Sequence, residues 1–308
     1  MPFSHHSHSG EFCKHAAGTL EDVVKEAVRQ KFVLFGLTEH VPRYRTEDLY
    51  PEEADLEVIQ LERQFQAFLV EAERLKAAYA GTIDLLVGLE TEYISALDLQ
   101  RLQEILAQGK VEYVVGSIHH VGGKPIDFDL ATFEQALSDC GGEDPWNEYL
   151  CRYFDAQYDL IRSVKPEVIG HLDLCRLYKP SISFSSYPAV ITKIERNIEE
   201  AVRYGALFEV NAAALRKKWA TAYPGEDALK LILKHGGRLT LSDDSHGPHM
   251  VGLNYGPTAE YLRRMNVTEL WYLERTSVAN EGGRWVRPAQ VKGDWWEHPF
   301  WEERHPST

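Results

Sequence analysis

Four histidines crowd the N-terminal stretch FSHHSHSGEFCKHA, which covers residues 3–16. Imidazole nitrogens are ligands that suit zinc, iron and manganese. Residues two apart in an extended strand point to the same face, so His6 and His8 could bind one cation together. The tract could also be an engineered tag or a solvated polar end, because histidine-rich tracts are compositional signals at best. A metal site is predicted only if the rest of the chain supplies further ligands.

Further histidines and carboxylates follow short apolar or β-branched runs along the chain. The segments are LTEH (37–40), GLE (88–90), GSIHH (116–120), GHLD (170–173), EVN (209–211) and SDDSH (242–246). In the last of them, Asp244 and His246 repeat the spacing of two residues. A carboxylate such as Glu90 can bridge two cations, which a lone imidazole cannot do. Each residue alone is typical of an ordinary surface or core side chain, and their joint placement is what predicts a metal site.

Two arginines, Arg176 and Arg216, follow two of these segments. The planar guanidinium matches phosphate oxygens in pairs, so we expect the two residues to form a phosphate clamp, although either alone is more typical of a surface charge. Bound cations lower the pKa of water and neutralise phosphoryl charge, which predicts hydrolysis of a phosphate monoester by a metal-bound hydroxide. The departing alkoxide needs a proton or a metal contact, supplied by Asp244, by His246 or by a metal-linked water.

Apolar runs alternate with amphipathic stretches, a pattern typical of repeated strand–helix pairs. Strands are predicted at residues 2–6, 32–37, 85–89, 113–118, 168–171, 206–210 and 238–241. Helices are predicted at residues 20–30, 56–79, 97–108, 146–163, 191–204 and 227–235. This pattern predicts an α/β fold with a closed parallel barrel of seven strands, with an open doubly wound sheet as the alternative. Barrel enzymes build their sites at the C-terminal ends of the strands, where the candidate ligands fall.

The length and composition of the chain fit one domain with a large core. A single α/β barrel fits 308 residues, of which 44% are hydrophobic. No repeat, flexible linker or low-complexity tract divides the chain. We therefore expect one domain over residues 1–308, with an acidic insertion at 41–55 and a Trp-rich tail at 281–308 that packs on the barrel.

Charge and residue usage exclude several classes of protein. The formal net charge of −14 disfavours nucleic acids as partners. No run of 18 apolar residues and no signal-peptide pattern occur, so we expect no membrane association and a cytoplasmic location. The four scattered cysteines lack the density of a disulfide scaffold and the C-x-x-C metal spacing, which predicts reduced thiols. Nothing in the sequence indicates an oligomeric state.

Taken together, the motifs resemble those of the polymerase and histidinol phosphatase (PHP) family, and within it the monofunctional histidinol-phosphatases of the fungal type. The resemblance covers nearly the whole chain through HHSHSG, LTEH, YPEE, GLETE, GSIHHVGGKPIDFD, GHLDLCRLY, EVNAAALRK and LSDDSHG. It implies a distorted, TIM-like (β/α)7 barrel with a centre of three divalent cations, which could be zinc, iron or manganese.

The resemblance also implies which residues bind each cation. The first cation would be bound by His6, His8, Glu90 and Asp244. The second would be bound by Glu90, His119 and His171. The third would be bound by His15, His40 and His246. The motifs GHLDLCR and ALRK support the two arginines as the phosphate clamp.

The substrate implied is L-histidinol phosphate, which would be hydrolysed to L-histidinol and phosphate in histidine biosynthesis. Its cationic end would be bound by a carboxylate among Glu39, Glu92, Asp127 and Asp173. Other interpretations stay open: a PHP phosphoesterase acting on nucleotides or other phosphate esters, a metal-storing or regulatory protein with a degenerate site, and an amidohydrolase-like barrel. The last is disfavoured because no candidate carboxylated lysine stands at a strand end.

Overall fold

The computed structural model describes residues 2–304, and its centre is a parallel sheet of seven short strands. The strands are β1 (Phe3–Ser4), β2 (Leu34–Leu37), β3 (Asp84–Glu90), β4 (Tyr113–Gly116), β5 (Val168–Ile169), β6 (Leu207–Asn211) and β7 (Arg238–Ser242). Each strand pairs in parallel with its neighbours in the chain. This order is that of an α/β barrel and confirms the predicted fold class.

The two ends of the sheet also meet. The backbone N–H of His5 donates to the carbonyl oxygen of Leu241 at 3.2 Å. Just beyond this bond, Ser7–His8 pairs in parallel with Ser245–His246. These contacts nearly close the sheet into a barrel, so the open doubly wound sheet is excluded. They also bring the N-terminal histidines beside the last strand.

Helices follow the strands and pack against their apolar side chains. They are α1 (Leu20–Arg29), α2 (Val58–Ala78), α3 (Ala96–Leu106), α4 (Leu130–Cys140), α5 (Pro145–Val164), α6 (Pro188–Tyr204), α7 (Ala213–Arg216), α8 (Glu226–Lys234) and α9 (Tyr255–Arg264). The first begins at a capping box, in which the side chains of Thr19 and Asp22 each accept a hydrogen bond from the other's backbone N–H. Among the described residues, no helix combines the length and apolar content needed to cross a bilayer.

Tyr113 is fully buried, and its hydroxyl donates to the carbonyl oxygen of His5 on the first strand segment at 2.7 Å. Gly36 and Gly88 lie against this tyrosine, and a Cβ at either position would overlap its side chain. Because protein interiors are close-packed, an alanine at either glycine would displace the ring. Glycine at these two strand positions therefore makes room for the tyrosine.

Several elements were not predicted from the sequence. They are α4, α9, the short α7 and an antiparallel hairpin of Trp271–Arg275 with Val286–Gln290. The fifth strand is shorter than predicted, because only residues 168–169 pair with both neighbouring strands. The other strands and helices lie within a few residues of their predicted bounds.

The insertion at 41–55 folds over the strand ends as two short 3-10 turns, Thr46–Asp48 and Pro51–Glu53. The buried carboxylate of Glu53 forms an ion pair with the buried guanidinium of Arg43. This pair joins the beginning of the insertion to its end.

Several residues of the C-terminal segment belong to the hydrophobic core cluster of the barrel. In its hairpin, the backbone N–H of Leu273 donates to His5 Nε2 at 3.0 Å. Trp295 and Trp301 are buried, whereas Trp285 is 59% exposed. Residues 305–308 of the predicted tail lie outside the described residues. We propose that the chain forms one domain, since the hairpin shares its buried contacts with the barrel core.

Candidate metal centre

The C-terminal ends of the strands surround a pocket of about 320 Å³. Seven of the nine predicted metal ligands line it: His15, His40, Glu90, His119, His171, Asp244 and His246. The other two, His6 and His8, are fully buried and contact the pocket residues from the protein interior. The fold therefore brings residues that are far apart in the chain, from His6 to His246, into one site.

Glu90, the last residue of β3, lies at the middle of this group. Its Oε2 lies 3.1 Å from His6 Nε2 and 3.3 Å from His8 Nε2. Its Oε1 lies 3.2 Å from His119 Nε2 and 3.0 Å from His171 Nε2. The two oxygens thus face two different pairs of imidazoles, which is the arrangement that a carboxylate bridging two cations requires.

Asp244 approaches the first pair of histidines from the opposite end of the sheet. Its Oδ1 lies 3.8 Å from His6 Nε2 and 3.6 Å from His8 Nε2. The two Nε2 atoms are 3.1 Å apart. Two nitrogens bound to one tetrahedral zinc at 2.0–2.1 Å would be about 3.3 Å apart, so this spacing fits a shared cation.

A further group of ligand atoms lies at the pocket entrance. His15, His40 and His246 approach one another there, joined by Cys13, and the four ligand atoms all lie within 4.8 Å of one another. The ring centroids of His15 and His246 are 4.9 Å apart. This group contains the three histidines that the resemblance assigns to the third cation.

Buried polar atoms without hydrogen bonds favour metal ions in the site. Neither ring nitrogen of His40 and neither carboxylate oxygen of Glu92 makes a hydrogen bond within the described part of the chain, although all four atoms are buried. His40 Nδ1 lies 3.1 Å from Glu90 Oε2 and 3.3 Å from Glu92 Oε1, but these contacts are ion pairs only if the imidazole is protonated. A buried polar group without a partner costs roughly 1–3 kcal/mol, so the arrangement is costly unless something else binds these atoms. Cations among the imidazoles and carboxylates would satisfy them, and the donor set fits zinc, iron or manganese.

Carboxylates also contact the outer nitrogens of the ligand histidines. Glu209 Oε1 lies 2.8 Å from His6 Nδ1, and Glu52 Oε1 lies 2.7 Å from His15 Nδ1. A proton held between such a pair directs the lone pair of Nε2 inward and fixes the ring. Sequence reasoning did not assign this role to either glutamate, although both belong to the quoted motifs YPEE and EVNAAALRK.

Comparison with known proteins agrees with this geometry. The chain matches the PHP domain over residues 4–213, which is more than half of its length. It belongs to the PHP family. This PHP protein has a nearly closed barrel of seven parallel strands and a histidine-rich pocket.

Two curated relatives cover most of the chain. The "Probable histidinol-phosphatase" of Schizosaccharomyces pombe is 44% identical over 298 residues, which are 96% of each chain. The "Histidinol-phosphatase" of Saccharomyces cerevisiae is 32% identical over 305 residues, which cover 88% of this chain and 90% of the relative. A solved histidinol phosphate phosphatase from Lactococcus lactis, complexed with zinc, L-histidinol and phosphate, superposes with a TM-score of 0.61. It is 18% identical, covers 92% of this chain and 98% of its own, and so shows the shared fold.

Burial and neighbouring charges act in opposite directions on the ligands of this PHP site. Burial alone would raise the pKa of Glu90, but the surrounding imidazoles, His6 first, lower it well below its usual value. His6 and His8 likewise hold the pKa of Asp244 below its usual value against the effect of burial. Burial lowers the pKa of His8, but Glu39 and Glu90 raise it to about 9. Without cations the site therefore holds protons, which bound cations would have to displace.

Arg216, the last residue of α7, lines the pocket beside these ligands. Its Nη1 donates to the carbonyl oxygen of Asp243 and its Nη2 to that of Asp244, each at 2.7 Å. These bonds fix the guanidinium at the edge of the candidate metal centre. Arg216 thus lies at the edge of the pocket that the candidate metal ligands line.

Arg176 does not reach the pocket. Its Nη2 donates to the carboxylates of Asp173 and Asp227, and its guanidinium carbon lies 3.9 Å from the ring centroid of Phe184. Asp173 stands only three residues earlier and is fully buried, so it pairs with the nearest cation. This arrangement departs from the predicted clamp of two arginines, because Arg216 lines the pocket and Arg176 does not.

Proposed function

We propose that this PHP protein hydrolyses L-histidinol phosphate to L-histidinol and inorganic phosphate with three divalent cations bound at the strand ends. The observation that carries the proposal is the convergence of Glu90, Asp244 and seven histidines on one site. It occurs in a chain 44% identical to a probable histidinol-phosphatase over 96% of both lengths. A cytoplasmic location is part of this proposal.

The three ligand groups described above would each bind one cation. When bound, such cations lower the pKa of water and neutralise the charge of a phosphoryl group. The zinc in the Lactococcus structure belongs to that protein, and the donor set here also suits iron and manganese.

Arg216 would bind the phosphate group. A guanidinium placed by two carbonyl oxygens at the pocket edge loses little further conformational freedom when an anion binds. Lys217 also lines the pocket. The two cationic side chains create a local field that attracts a phosphate ester despite the net charge of −14.

Asp244 and His246 both line the pocket and are the residues predicted to help protonate the leaving alkoxide. His246 Nδ1 lies 3.0 Å from the carbonyl oxygen of Asp244 and 3.6 Å from its Oδ1. Neighbouring imidazoles lower the pKa of Asp244, and burial lowers the pKa of His246, so a metal-linked water held beside them would supply the proton.

Of the four carboxylates considered for the cationic end of the substrate, Asp127 is the one that lines the pocket. Its buried Oδ1 has no hydrogen-bond partner among the described residues. Tyr50 and Phe128 line the same part of the pocket as a stacked pair, with ring centroids 5.8 Å apart. An imidazole could pack against these rings while its charge, or that of the amine, pairs with Asp127.

A panel of substrates tests the proposal. The protein is stripped of metal, reloaded, and assayed for phosphate release from L-histidinol phosphate, nucleoside monophosphates, oligonucleotide ends and p-nitrophenyl phosphate. We expect the highest kcat/KM with L-histidinol phosphate. A preference for nucleotides or oligonucleotide ends would replace the proposal with another PHP phosphoesterase, and full metal loading without turnover of any ester would indicate a binding protein.

The variant Asp127→Asn tests how the substrate is recognised. We expect KM for L-histidinol phosphate to rise at least about tenfold, because a charged hydrogen bond contributes about 1.5–3 kcal/mol. KM for p-nitrophenyl phosphate, which has no cationic end, should stay the same. Asp139→Asn, at an exposed position on α4, is the matched control. Equal effects on both substrates would show that Asp127 does not bind the cationic end.

A further inference from the structure

We propose that Cys13 is a fourth protein ligand of the third cation and gives that position a preference for zinc or ferrous iron over manganese. The inference rests on the metal centre of the proposed function and goes beyond it, since the expected ligands of this cation are three histidines. Cys13, the least polar of the four residues, would then determine which metal binds at this position.

The first support is distance. Cys13 Sγ lies 3.1 Å from His15 Nε2, and the same group includes His40 and His246 with all ligand atoms within 4.8 Å. Zinc binds thiolate at about 2.3 Å and imidazole at about 2.0–2.1 Å, which places sulfur and nitrogen roughly 3.6 Å apart around one tetrahedral ion. The four side chains therefore need only small adjustments to share a cation.

The second support is the direction of the histidine lone pairs. His15 Nδ1 lies 2.7 Å from Glu52 Oε1, so a proton there is held by the carboxylate and Nε2 is left as the free acceptor. That acceptor faces Cys13 Sγ. His40 Nδ1 lies 3.1 Å from Glu90 Oε2, whereas its buried Nε2 makes no hydrogen bond within residues 2–304. A ligand nitrogen of His40 lies within 4.8 Å of the sulfur and of the His15 ligand nitrogen.

The third support is the placement of the sulfur. Cys13 is buried, and its backbone N–H donates to the carbonyl oxygen of Ser9 at 2.9 Å, which fixes the turn after the first strand. The three histidines of the group line the pocket, whereas Cys13 does not. The sulfur would therefore complete a four-coordinate shell from the protein side.

Coordination requires no redox change. The sulfur donates a lone pair to the cation and the thiol proton leaves to solvent. A thiolate is a soft ligand that favours zinc and ferrous iron, whereas manganese favours oxygen ligands. The first two cations, bound by imidazoles and carboxylates, carry no such preference. We therefore expect the third position to exchange zinc for manganese much less readily than the other two.

Cobalt substitution tests the inference on the full-length protein. A cobalt ion bound by a thiolate gives an intense charge-transfer band in the near ultraviolet. We expect this band in the wild-type protein, its loss in Cys13→Ser and its retention in Cys151→Ser, the control at a half-buried position on α5. Equal bands in Cys13→Ser and wild type, or no band in wild type, would overturn the inference.

Zinc provides a second readout that needs no variant. X-ray absorption of the zinc-loaded wild-type protein should show sulfur at about 2.3 Å from zinc, and its absence would overturn the inference even if Cys13→Ser fails to fold. The third zinc should bind at least about tenfold more weakly in Cys13→Ser. In Cys13→Asp, the affinity of this position for manganese relative to zinc should rise, and an unchanged ratio would count against a selecting role.

The outcomes are separable from those of the proposed function. Hydrolysis of L-histidinol phosphate without a sulfur signal would leave the function standing and reject Cys13 as a ligand. A sulfur signal without hydrolysis of any phosphate ester would support Cys13 as a ligand and reject the proposed function.

Discussion

At the scale of single residues, the centre depends on one carboxylate shared between two pairs of imidazoles. The two oxygens of Glu90 lie 3.0–3.3 Å from the Nε2 atoms of His6, His8, His119 and His171. The strand-end placement of these residues could be predicted from the sequence. The outer partners of the histidines could not, because a contact such as that of His6 with Glu209 joins residues 203 positions apart.

Replacement of each arginine by alanine should have a different effect, on catalysis for Arg216 and on stability for Arg176. Arg216→Ala removes a charged contact to phosphate, so kcat/KM should fall roughly ten- to a hundredfold while metal content is retained. Arg176→Ala leaves the buried carboxylate of Asp173 without its cation, so the free energy of unfolding should fall by about 3 kcal/mol. Steady-state kinetics, metal analysis and thermal denaturation measure these effects.

Lys218→Ala, at an exposed position two residues after Arg216, is the control for both variants and should resemble wild type. If Arg176→Ala lowered kcat/KM as much as Arg216→Ala at unchanged stability, both arginines would contact the phosphate. The predicted clamp of two arginines would then be restored.

The raised pKa of His8 predicts how the centre responds to pH. In the metal-free folded protein this imidazole keeps its proton up to about pH 9, against 6.5 for an unperturbed histidine. Its contribution to the stability of the metal-free fold is therefore fully present below pH 6.5 and is lost as pH rises through 9. A cation must displace that proton, so metal affinity should rise over the same range, by up to about tenfold per pH unit for each proton released.

A competition assay with a zinc chelator between pH 6.5 and 9 measures this affinity. The gap in melting temperature between the zinc-loaded and the metal-free protein should widen as pH rises. An affinity that stays constant over this range, after correction for the chelator, would show that no imidazole proton is displaced.

At the scale of elements, the sequence pattern predicted the strands that carry ligands better than the helices between them. The residues at the start of α9, Asn254-Tyr255-Gly256-Pro257, are types that are common in turns. The helix can nevertheless begin there, because backbone N–H groups in the first helical turn make no intrahelical hydrogen bond and a proline at this position therefore removes none. The helix α4, which begins after the cap residue Asp129, was also not predicted, although it is as long as the predicted α3. The hairpin Trp271–Arg275 with Val286–Gln290 is held by contacts to the barrel, which local periodicity does not report.

The insertion at 41–55 is an element whose role the sequence pattern did not show. It supplies Glu52, which holds Nδ1 of His15. In Glu52→Gln this imidazole loses its charged partner, so affinity for the third cation should fall roughly 10- to 100-fold while the other two sites are kept. Glu47→Gln, in the neighbouring exposed turn, should leave all three affinities unchanged. Stepwise zinc titration measures the three affinities, and equal titrations of both variants would show that the insertion does not support the centre.

At the scale of the whole molecule, near-closure of the barrel is what assembles the centre. Ser7–His8 and Ser245–His246 are far apart in the chain, yet they pair side by side and bring His8 and Asp244 within 3.6 Å. This closure could be expected from the number of strand–helix pairs. The exclusion of Arg176 from the pocket could not, because it depends on the position of α8, which supplies Asp227.

In the proposed function, cations bound at the strand ends make this protein a phosphatase. The most direct test removes all metal from the wild-type protein, restores zinc, iron or manganese in steps, and records bound metal and phosphate release from L-histidinol phosphate at each step. We predict that release is absent without metal, rises with metal load and reaches its maximum at about three cations per chain. Full phosphate release from the metal-free protein would contradict the account.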